Sequence, residues 1–222
     1  MRGLAGLFGR RGGADDRDAF VATSRRRAAE AARRLHRAIR GPVIAVRFGV
    51  LSRAIIPPMA QEPARHVLAD SGIFPNSKLP VLVYRRAVPT PAAAAFERMF
   101  EAHHWSSAWR NGLFSVHHYH STAHEVLGVY QGWVRAKLGG EQGTLLTLEA
   151  GDVIVIPAGV AHKNEGASAD FHLVGAYPDG TGPDLQYGKL GERPGTDGNI
   201  ARVPRPLADP VHGASGPLTK LW

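Results

Sequence analysis

The sequence GLFSVHHYHSTAHE, residues 112–125, combines a run of strand character with four histidines and a carboxylate. Side chains on a strand alternate between its two faces. His118 and His120 are therefore expected on one face, and His117 and Tyr119 on the other. Two imidazoles on the same face of one strand indicate that this stretch contributes to a binding site.

Two further candidate ligands follow in the chain. Glu125 is separated from His120 by four residues, and His162 comes 37 residues after Glu125, behind the turn Pro157-Ala-Gly159. Three neutral imidazoles and one carboxylate suit Fe, Mn, Ni, Cu or Zn. The sequence therefore predicts a divalent transition-metal site whose candidate ligands are His118, His120, Glu125 and His162.

Two more histidines are candidate pocket residues. His124 lies four residues after His120, a helical spacing that would let both rings face one metal, although the stretch lacks helix signals. His172 lies in a late predicted strand, where it could line the pocket as a group outside the ligand set, because histidine titrates near neutral pH. Lys163 and Arg110 are expected to be charges at the surface or at the pocket rim.

The composition is that of a globular protein rich in turns. Of the 222 residues, 44% are hydrophobic and 21% are charged, and there are 26 Gly and 16 Pro, which favours an all-β core. The absence of cysteine excludes disulfides, thiolate metal sites and thiol catalysis. No apolar run approaches the roughly 18–20 residues of a membrane span. Nor is there the apolar core of a secretory signal, so a cytoplasmic location is expected.

The net charge of +8 is concentrated in the first quarter of the chain. Residues 1–58 contain 13 Arg, no Lys and four acidic residues, a net of +9, and residues 59–222 have a net charge of −1. The main part of the chain thus has no electrostatic reason to bind nucleic acid.

Residues 1–58 are predicted to be a separate basic extension, and residues 59–222 a single domain. The extension is expected to be disordered, or marginally helical between about residues 15 and 40. An organelle transit peptide and a basic arm for nucleic acid or membrane are the alternatives. A further hypothesis is that translation begins at Met59.

One helix is predicted before the main strands. It runs from Ala92 to His103, with Thr90 as the N-cap and Pro91 at the first helical position. A short apolar strand, Pro80–Arg86, precedes it. Beyond the helix, Trp105 and Trp109 are expected to be core or edge packing residues.

Short strands separated by glycine turns are predicted after Gly112. They cover residues 129–138, 144–148, 153–156 and 171–177, with a hairpin turn at 139–143. From Pro178 to Trp222 the many Gly and Pro residues predict a largely irregular segment.

The spacing resembles the two signature motifs of the cupin superfamily. Gly112, five residues, His118-Tyr-His120, four residues, Glu125, six residues and Gly132 resemble the first motif. Gly151, five residues, Pro157-Ala-Gly159, two residues and His162 resemble the second. That family motif often ends in an Asn four residues after the histidine, whereas here the nearest is Asn164, two residues after it.

The wider context is similar to the uncharacterised YjlB-like cupins. It includes the segment Trp109-Arg-Asn-Gly112 and the closing segment Gly216-Pro-Leu-Thr-Lys-Leu-Trp222. The resemblance covers Met59 to Trp222. It implies an all-β double-stranded β-helix, the cupin jelly-roll barrel, with a short helix before the barrel.

The same resemblance implies the metal ligands and a range of functions. The ligand positions of the cupins fall on His118, His120, Glu125 and His162. A metal-dependent enzyme acting on a small molecule, of the dioxygenase or the sugar or keto-acid isomerase type, is expected. The alternative is a non-catalytic cupin that binds or senses a small ligand and has a structural metal. A homodimer is expected from the resemblance alone.

Overall fold

The computed structural model describes residues 62–222. The predictions for residues 1–58 and for a start at Met59 lie outside this range. The described strands are β1 (Ala64–Leu68), β2 (Ser77–Tyr84), β3 (Trp105–Asn111), β4 (Glu125–Gln131), β5 (Trp133–Leu138), β6 (Thr144–Glu149), β7 (Val153–Ile156), β8 (His162–Ala167) and β9 (His172–Pro178). The described helices are α1 (Ala93–Ala102), α2 (Gly195–Ile200) and α3 (Leu218–Leu221).

The strands form two antiparallel sheets. One has six strands in the order β1-β2-β7-β4-β9-β3, and the other has three in the order β6-β5-β8. Buried aliphatic side chains from both sheets form one core between them. Two antiparallel sheets closed over a shared core are the jelly-roll arrangement, so the predicted fold class is confirmed.

Strand β4 shows how alternation fixes the two sides of the larger sheet. Leu127 and Val129 lie in the core between the sheets, whereas Val126 packs on the outside with α1. The period of two then places Glu125 on the inner side with Leu127. One carboxylate therefore occupies an inward position at the end of an apolar strand.

Helix α1 packs on the outer face of the six-stranded sheet. Phe96 and Phe100 are fully buried there. The predicted N-cap at Thr90 is wrong, because the cap residue is Ala92, whose extended backbone makes no side-chain hydrogen bond to the helix. Burial of the two phenylalanines, rather than a polar cap, accounts for the stability of this helix.

Several strand predictions need correction. The predicted strand 129–138 is divided by Gly132, whose φ of +66° interrupts the extended backbone, into β4 of the larger sheet and β5 of the smaller one. Strands β1, β3 and β8 were not predicted. Strand β8 reads HKNEGA and has no apolar alternation, so only its pairing with β5 reveals it. Within residues 62–222, no helix is long and apolar enough to cross a membrane.

Candidate metal centre

The segment that carries His118 and His120 connects β3 to β4. The sequence predicted a strand here, and this prediction is wrong. The segment forms only isolated bridges, one of them between His118 and His162. In this bridge the His118 N–H donates to the His162 carbonyl (3.1 Å) and the His162 N–H donates to the His118 carbonyl (2.9 Å). The bridge places the two imidazole centroids 4.1 Å apart.

The three histidines converge on one buried point. One ring nitrogen from each of His118, His120 and His162 lies within 4.8 Å of the other two. Glu125 lies beside them, with its Oε1 3.6 Å from His120 Nε2 and its Oε2 3.3 Å from His162 Nε2. The four side chains that the sequence singled out are thus brought together, and a group of this kind could hold a metal ion.

Backbone carbonyls fix the orientation of all three rings. The Nδ1 atom of His118 lies 3.2 Å from the Val116 carbonyl, and that of His162 lies 3.0 Å from the Val160 carbonyl. The Nδ1 of His120 contacts the Asp184 carbonyl. A carbonyl oxygen only accepts hydrogen bonds, so each Nδ1 carries the proton. Each Nε2 then has a free lone pair, as a metal ligand requires.

Two buried atoms of the cluster have no hydrogen-bond partner. They are Glu125 Oε2 and His162 Nε2, whose 3.3 Å separation does not give hydrogen-bond geometry. An unpaired buried polar atom costs about 1–3 kcal/mol. A cation between the two atoms would accept a lone pair from each and remove that cost. The donor set therefore fits a divalent transition metal.

For two of the four groups the protonation state already suits metal binding. Burial, together with the neighbouring His162, lowers the pKa of His118 to about 3, so that this ring is neutral. Burial alone would raise the pKa of Glu125, but His120 and His162 outweigh burial and hold it well below its ordinary value. Metal ligands must be deprotonated, and both of these groups are. For His120, burial alone would lower the pKa, but Glu125 and Asp184 outweigh burial and raise it, so a metal ion would compete with a proton at this ring.

A tyrosine and a tryptophan support the carboxylate, and the sequence reasoning missed both roles. The Trp109 indole N–H donates to Tyr177 Oη (3.1 Å), and the Tyr177 hydroxyl donates to Glu125 Oε1 (3.0 Å). Gly175 lies opposite Trp109 in the sheet, where a Cβ would come within 2.3 Å of the indole. Glycine at this position therefore lets the indole lie against β9 and reach Tyr177.

Strand alternation could have identified Tyr177, because it shares the inner face of β9 with the core residue Leu173. Trp109 was not recognisable in this way. Strand β3 has an irregular register between Ser106 and Trp109, and Ser107 has a φ of +55°. Trp105 consequently packs on the outer face, and Trp109 faces inward.

The second motif contacts the first through its glycine. The Gly159 N–H donates to the His120 carbonyl (2.8 Å). Its φ is +90°, and a Cβ there would lie 2.4 Å from the Asn76 carbonyl oxygen. A side chain at residue 159 would thus disturb the backbone that holds His120.

A cavity of about 330 Å³ opens onto the histidine cluster. Phe114 and Leu185 form part of its wall and are partly exposed, at 48% and 41%. The complete lining consists of Trp109, Asn111, Gly112, Leu113, Phe114, His118, His120, Glu125, Leu127, His162, Tyr177, Pro183, Asp184 and Leu185. Within the described residues this lining contains neither Lys nor Arg.

The structure does not bring His124 or His172 into this cavity. His124 is buried against Trp222, with ring centroids 4.7 Å apart, and its Nδ1 accepts the Ala158 N–H. Burial lowers the pKa of His124 to about 4, so this ring is neutral. His172 is exposed and stacks on Tyr130. Neither ring can contact a ligand at the cluster in this arrangement.

The remaining polar candidates lie outside the cavity lining. Lys163 forms ion pairs with Glu141 and Glu165, and Arg110 forms a bidentate pair with Glu97. The Asn164 side chain accepts the Gly166 N–H.

One curated relative resembles most of this chain. The uncharacterized protein YjlB of Bacillus subtilis (strain 168) is 38% identical over 165 residues, which cover 74% of this chain and 99% of the relative. No protein-family model matches the chain.

Two solved structures illustrate the more distant similarity. A protein with a double-stranded β-helix domain from Klebsiella pneumoniae subsp. pneumoniae MGH 78578 is 18% identical, covering 64% of this chain and 98% of that one, with a TM-score of 0.29. An acireductone dioxygenase from Bacillus anthracis, with a cadmium ion in its active centre, is 20% identical. The match covers 41% of this chain and 62% of that one, with a TM-score of 0.30. Because the YjlB match extends over nearly the whole relative, and because the two-sheet fold is that of the cupins, this chain belongs to the YjlB-like family of cupins.

Proposed function

We propose that this protein is a metal-dependent enzyme of the dioxygenase type, acting on a small molecule in the cavity above the histidine cluster. The proposed ligands are His118, His120, Glu125 and His162. The observation that carries the proposal is the pair of unpartnered buried atoms, Glu125 Oε2 and His162 Nε2, at the floor of a half-open, largely apolar cavity. When bound, the ion would supply Lewis-acid chemistry and, if it is iron, redox chemistry with O₂.

The chain's own residues hold the ligands in place. Three backbone carbonyls orient the imidazoles. Tyr177 holds one oxygen of Glu125 and leaves the other free to bind the ion. Apolar side chains line the space above them, and electrostatic interactions are stronger beside apolar side chains than in bulk water.

Among residues 62–222, the cavity lining offers no free acid or base, which favours the dioxygenase type over the isomerase type. An isomerase must move a proton between substrate atoms, which requires a positioned side chain. Apart from the proposed ligands, the ionisable side chains of the described lining are Tyr177 and Asp184. Tyr177 is engaged by Glu125 and Trp109, and the Asp184 carboxylate is engaged by Ser121.

The same observation supports a second candidate function. A protein that binds or senses a small ligand needs no acid or base, and its metal would stabilise the fold. Metal removal distinguishes the two functions, because an enzyme loses turnover whereas a binding protein loses only thermal stability and ligand affinity.

The test begins with the metal content of the purified full-length chain, measured by inductively coupled plasma mass spectrometry. The chain is then stripped with a chelator and reloaded with Fe²⁺ or Zn²⁺, and O₂ consumption is followed across a panel of small diols, enols and keto acids. We expect consumption with Fe²⁺ only. A chain that binds iron tightly but consumes no O₂ with any compound would favour the binding protein, and a chain that binds neither ion would refute both functions.

A further inference from the structure

We infer that the cavity selects a singly charged chelating ligand with an apolar, ring-sized body, bound through two neighbouring oxygens. This inference rests on the proposed metal site and specifies the substrate class of that site. It follows from the charge of the cluster, from the character of the wall and from the volume of the cavity.

The charge of the loaded site is fixed by its ligands. Three neutral imidazoles, one carboxylate and a divalent ion give a net charge of +1. One negative charge on the ligand neutralises this site. A second negative charge would need a cation nearby, and the lining contributed by residues 62–222 contains no Lys or Arg. The Asp184 carboxylate, close to His120, would also repel a second anionic group.

The number of ligands fixes how the substrate would bind. Four protein ligands on an octahedral ion leave two positions for exogenous atoms. Two neighbouring oxygens on one molecule fill both positions. A hydroxy-ketone, a keto acid, an enediol or a catechol therefore fits the site, whereas a compound with a single oxygen leaves one position to water.

The wall requires the rest of the ligand to be apolar. Leu113, Phe114, Leu127, Pro183 and Leu185 surround the space above the cluster. A polar or phosphorylated body placed there would lose its hydration without gaining hydrogen bonds, which is costly. An apolar body is stabilised by burial at roughly 25 cal/mol per Å².

The volume limits the size of that body. A cavity of about 150 Å³ holds a benzene molecule, and this one has about 330 Å³. The space therefore accepts one ring together with the chelating group. A sugar phosphate is excluded by its charge and polarity rather than by its size.

Three probes separate these features in the full-length chain loaded with Zn²⁺. This ion has no redox chemistry and, because its d-electrons impose no geometry, it can take further ligands beyond the four from the protein. Benzohydroxamate and acetohydroxamate share one chelating group and differ in the ring. Oxalate is close to acetohydroxamate in size but has two charges. Isothermal titration calorimetry would give each dissociation constant, to be compared with the affinity of the same probe for aqueous Zn²⁺.

We expect benzohydroxamate to bind at least tenfold more tightly than acetohydroxamate. Of the three probes, oxalate should show the smallest ratio of its affinity for the loaded chain to its affinity for aqueous Zn²⁺. Equal binding of the two hydroxamates, or the largest gain for oxalate, would overturn the inference while leaving the metal site intact. A chain that retains no Zn²⁺ after dialysis would overturn the proposed function and this inference together.

Two leucines provide a matched pair of variants. Leu185 is 41% exposed and lines the cavity, whereas Leu145 is 46% exposed and lies on β6, outside the lining. Leu185→Ser should reduce the benzohydroxamate preference at least threefold, with unchanged Zn²⁺ content and acetohydroxamate affinity. Leu145→Ser should change none of these values. If Leu185→Ser lowers the Zn²⁺ content, Phe114→Ser is tested instead. An unchanged preference of Phe114→Ser for benzohydroxamate over acetohydroxamate would contradict the inference.

Discussion

His120 is the histidine of the cluster that depends most on distant parts of the chain. Its Nδ1 contacts the carbonyl of Asp184, and its own carbonyl accepts the Gly159 N–H (2.8 Å). In His118 and His162, by contrast, Nδ1 bonds a carbonyl two residues earlier in the chain. The orientation of His120 thus requires three segments to be in place, whereas His118 and His162 orient each other through their shared bridge.

Replacing His120 with alanine should sharply reduce metal occupancy. The variant lacks one of four proposed ligands, and even the loss of a supporting partner costs about 10–100-fold in metal affinity. The measurement is the metal content after dialysis against a weak chelator. His172→Ala is the control, because His172 is exposed and remote from the cavity. Full occupancy in His120→Ala would remove this residue from the ligand set.

Replacing Tyr177 with phenylalanine should weaken metal binding about 10–100-fold while changing the free energy of unfolding by only about 1 kcal/mol. The change removes the hydrogen bond to Glu125 Oε1 and keeps the ring. Competition with a chromophoric chelator gives the affinity, and urea unfolding of the metal-free chain gives the stability. Tyr130→Phe, outside the cavity, is the matched control. Equal affinities in the two variants would show that Tyr177 does not position the carboxylate.

At the scale of single residues, the sequence predicted the four candidate ligands but not the residues that support Glu125. The four candidate ligands are close together because two of them share one segment and the others begin strands β4 and β8. The role of Trp109 was not identified, because it depends on the pairing of β3 with β9 across an irregular register. Tyr177 was missed although the alternation along β9 places it on the inner face. His172 was a candidate on residue type alone, and its exposed position follows from sheet packing that a local pattern does not contain.

The segment 183–192, here called the covering loop, forms one side of the cavity and is held by the carboxylates of Asp184 and Glu192. The Asp184 carboxylate accepts hydrogen bonds from the Ser121 N–H and hydroxyl. Glu192 Oε1 accepts the Tyr187 N–H (3.0 Å), and Glu192 Oε2 accepts the Gly188 N–H (2.8 Å) and the Tyr119 hydroxyl (3.0 Å). Leu185, in the cavity wall, lies within this loop. The position of the wall is therefore coupled to the charge of Glu192.

Acid should loosen the covering loop. Burial alone would raise the pKa of Glu192, but the backbone N–H groups and the Tyr119 hydroxyl outweigh burial and lower it below its ordinary value of 4.5. A carboxyl group whose pKa is lower in the folded state contributes stability that is present above pH 4.5 and is lost as the pH falls through the folded-state pKa. Amide hydrogen exchange of residues 185–190, corrected for its intrinsic pH dependence, should therefore accelerate below pH 4.5.

Glu192→Gln isolates this effect. The variant should show faster exchange in the covering loop already at pH 7, and a smaller further acceleration in acid than the unmodified chain. The remaining acceleration comes from Asp184, because its hydrogen bonds outweigh burial and also lower its pKa. Glu141→Gln, which removes an exposed partner of Lys163, is the control. An unchanged acid response in Glu192→Gln would assign the loosening to another group.

Strands with an apolar sequence could be predicted, whereas a strand that is defined only by its pairing with a neighbouring strand could not. Strand β7 begins and ends where the sequence placed it, at Val153 and Ile156, because all four of its residues are buried and aliphatic. Strand β8 is polar and is a strand only because β5 pairs with it. The N-cap of α1 was misplaced because the burial of Phe96 and Phe100, not capping chemistry, decides where the helix lies.

For the molecule as a whole, the described part of the chain contains both sheets, the shared core and all four proposed ligands. The relative YjlB matches 74% of this chain with 99% of its own length. About a quarter of this chain therefore has no counterpart in that relative. The basic character of the chain belongs to residues 1–58, and residues 59–222 have a net charge of −1.

A chain that starts at Met59 should consequently fold and bind metal like the full-length protein. We expect its melting temperature to lie within a few degrees of the full-length value, with equal metal content and equal affinity for benzohydroxamate, because residues 62–222 supply both sheets and all four proposed ligands. Its binding to heparin should fall, since the removed segment carries a net charge of +9. The control is the full-length chain with six of its thirteen early arginines changed to glutamine, which should lose heparin binding and keep its metal. A large loss of metal or stability in the shortened chain, but not in the glutamine variant, would show that the extension contributes to the fold through contacts other than charge.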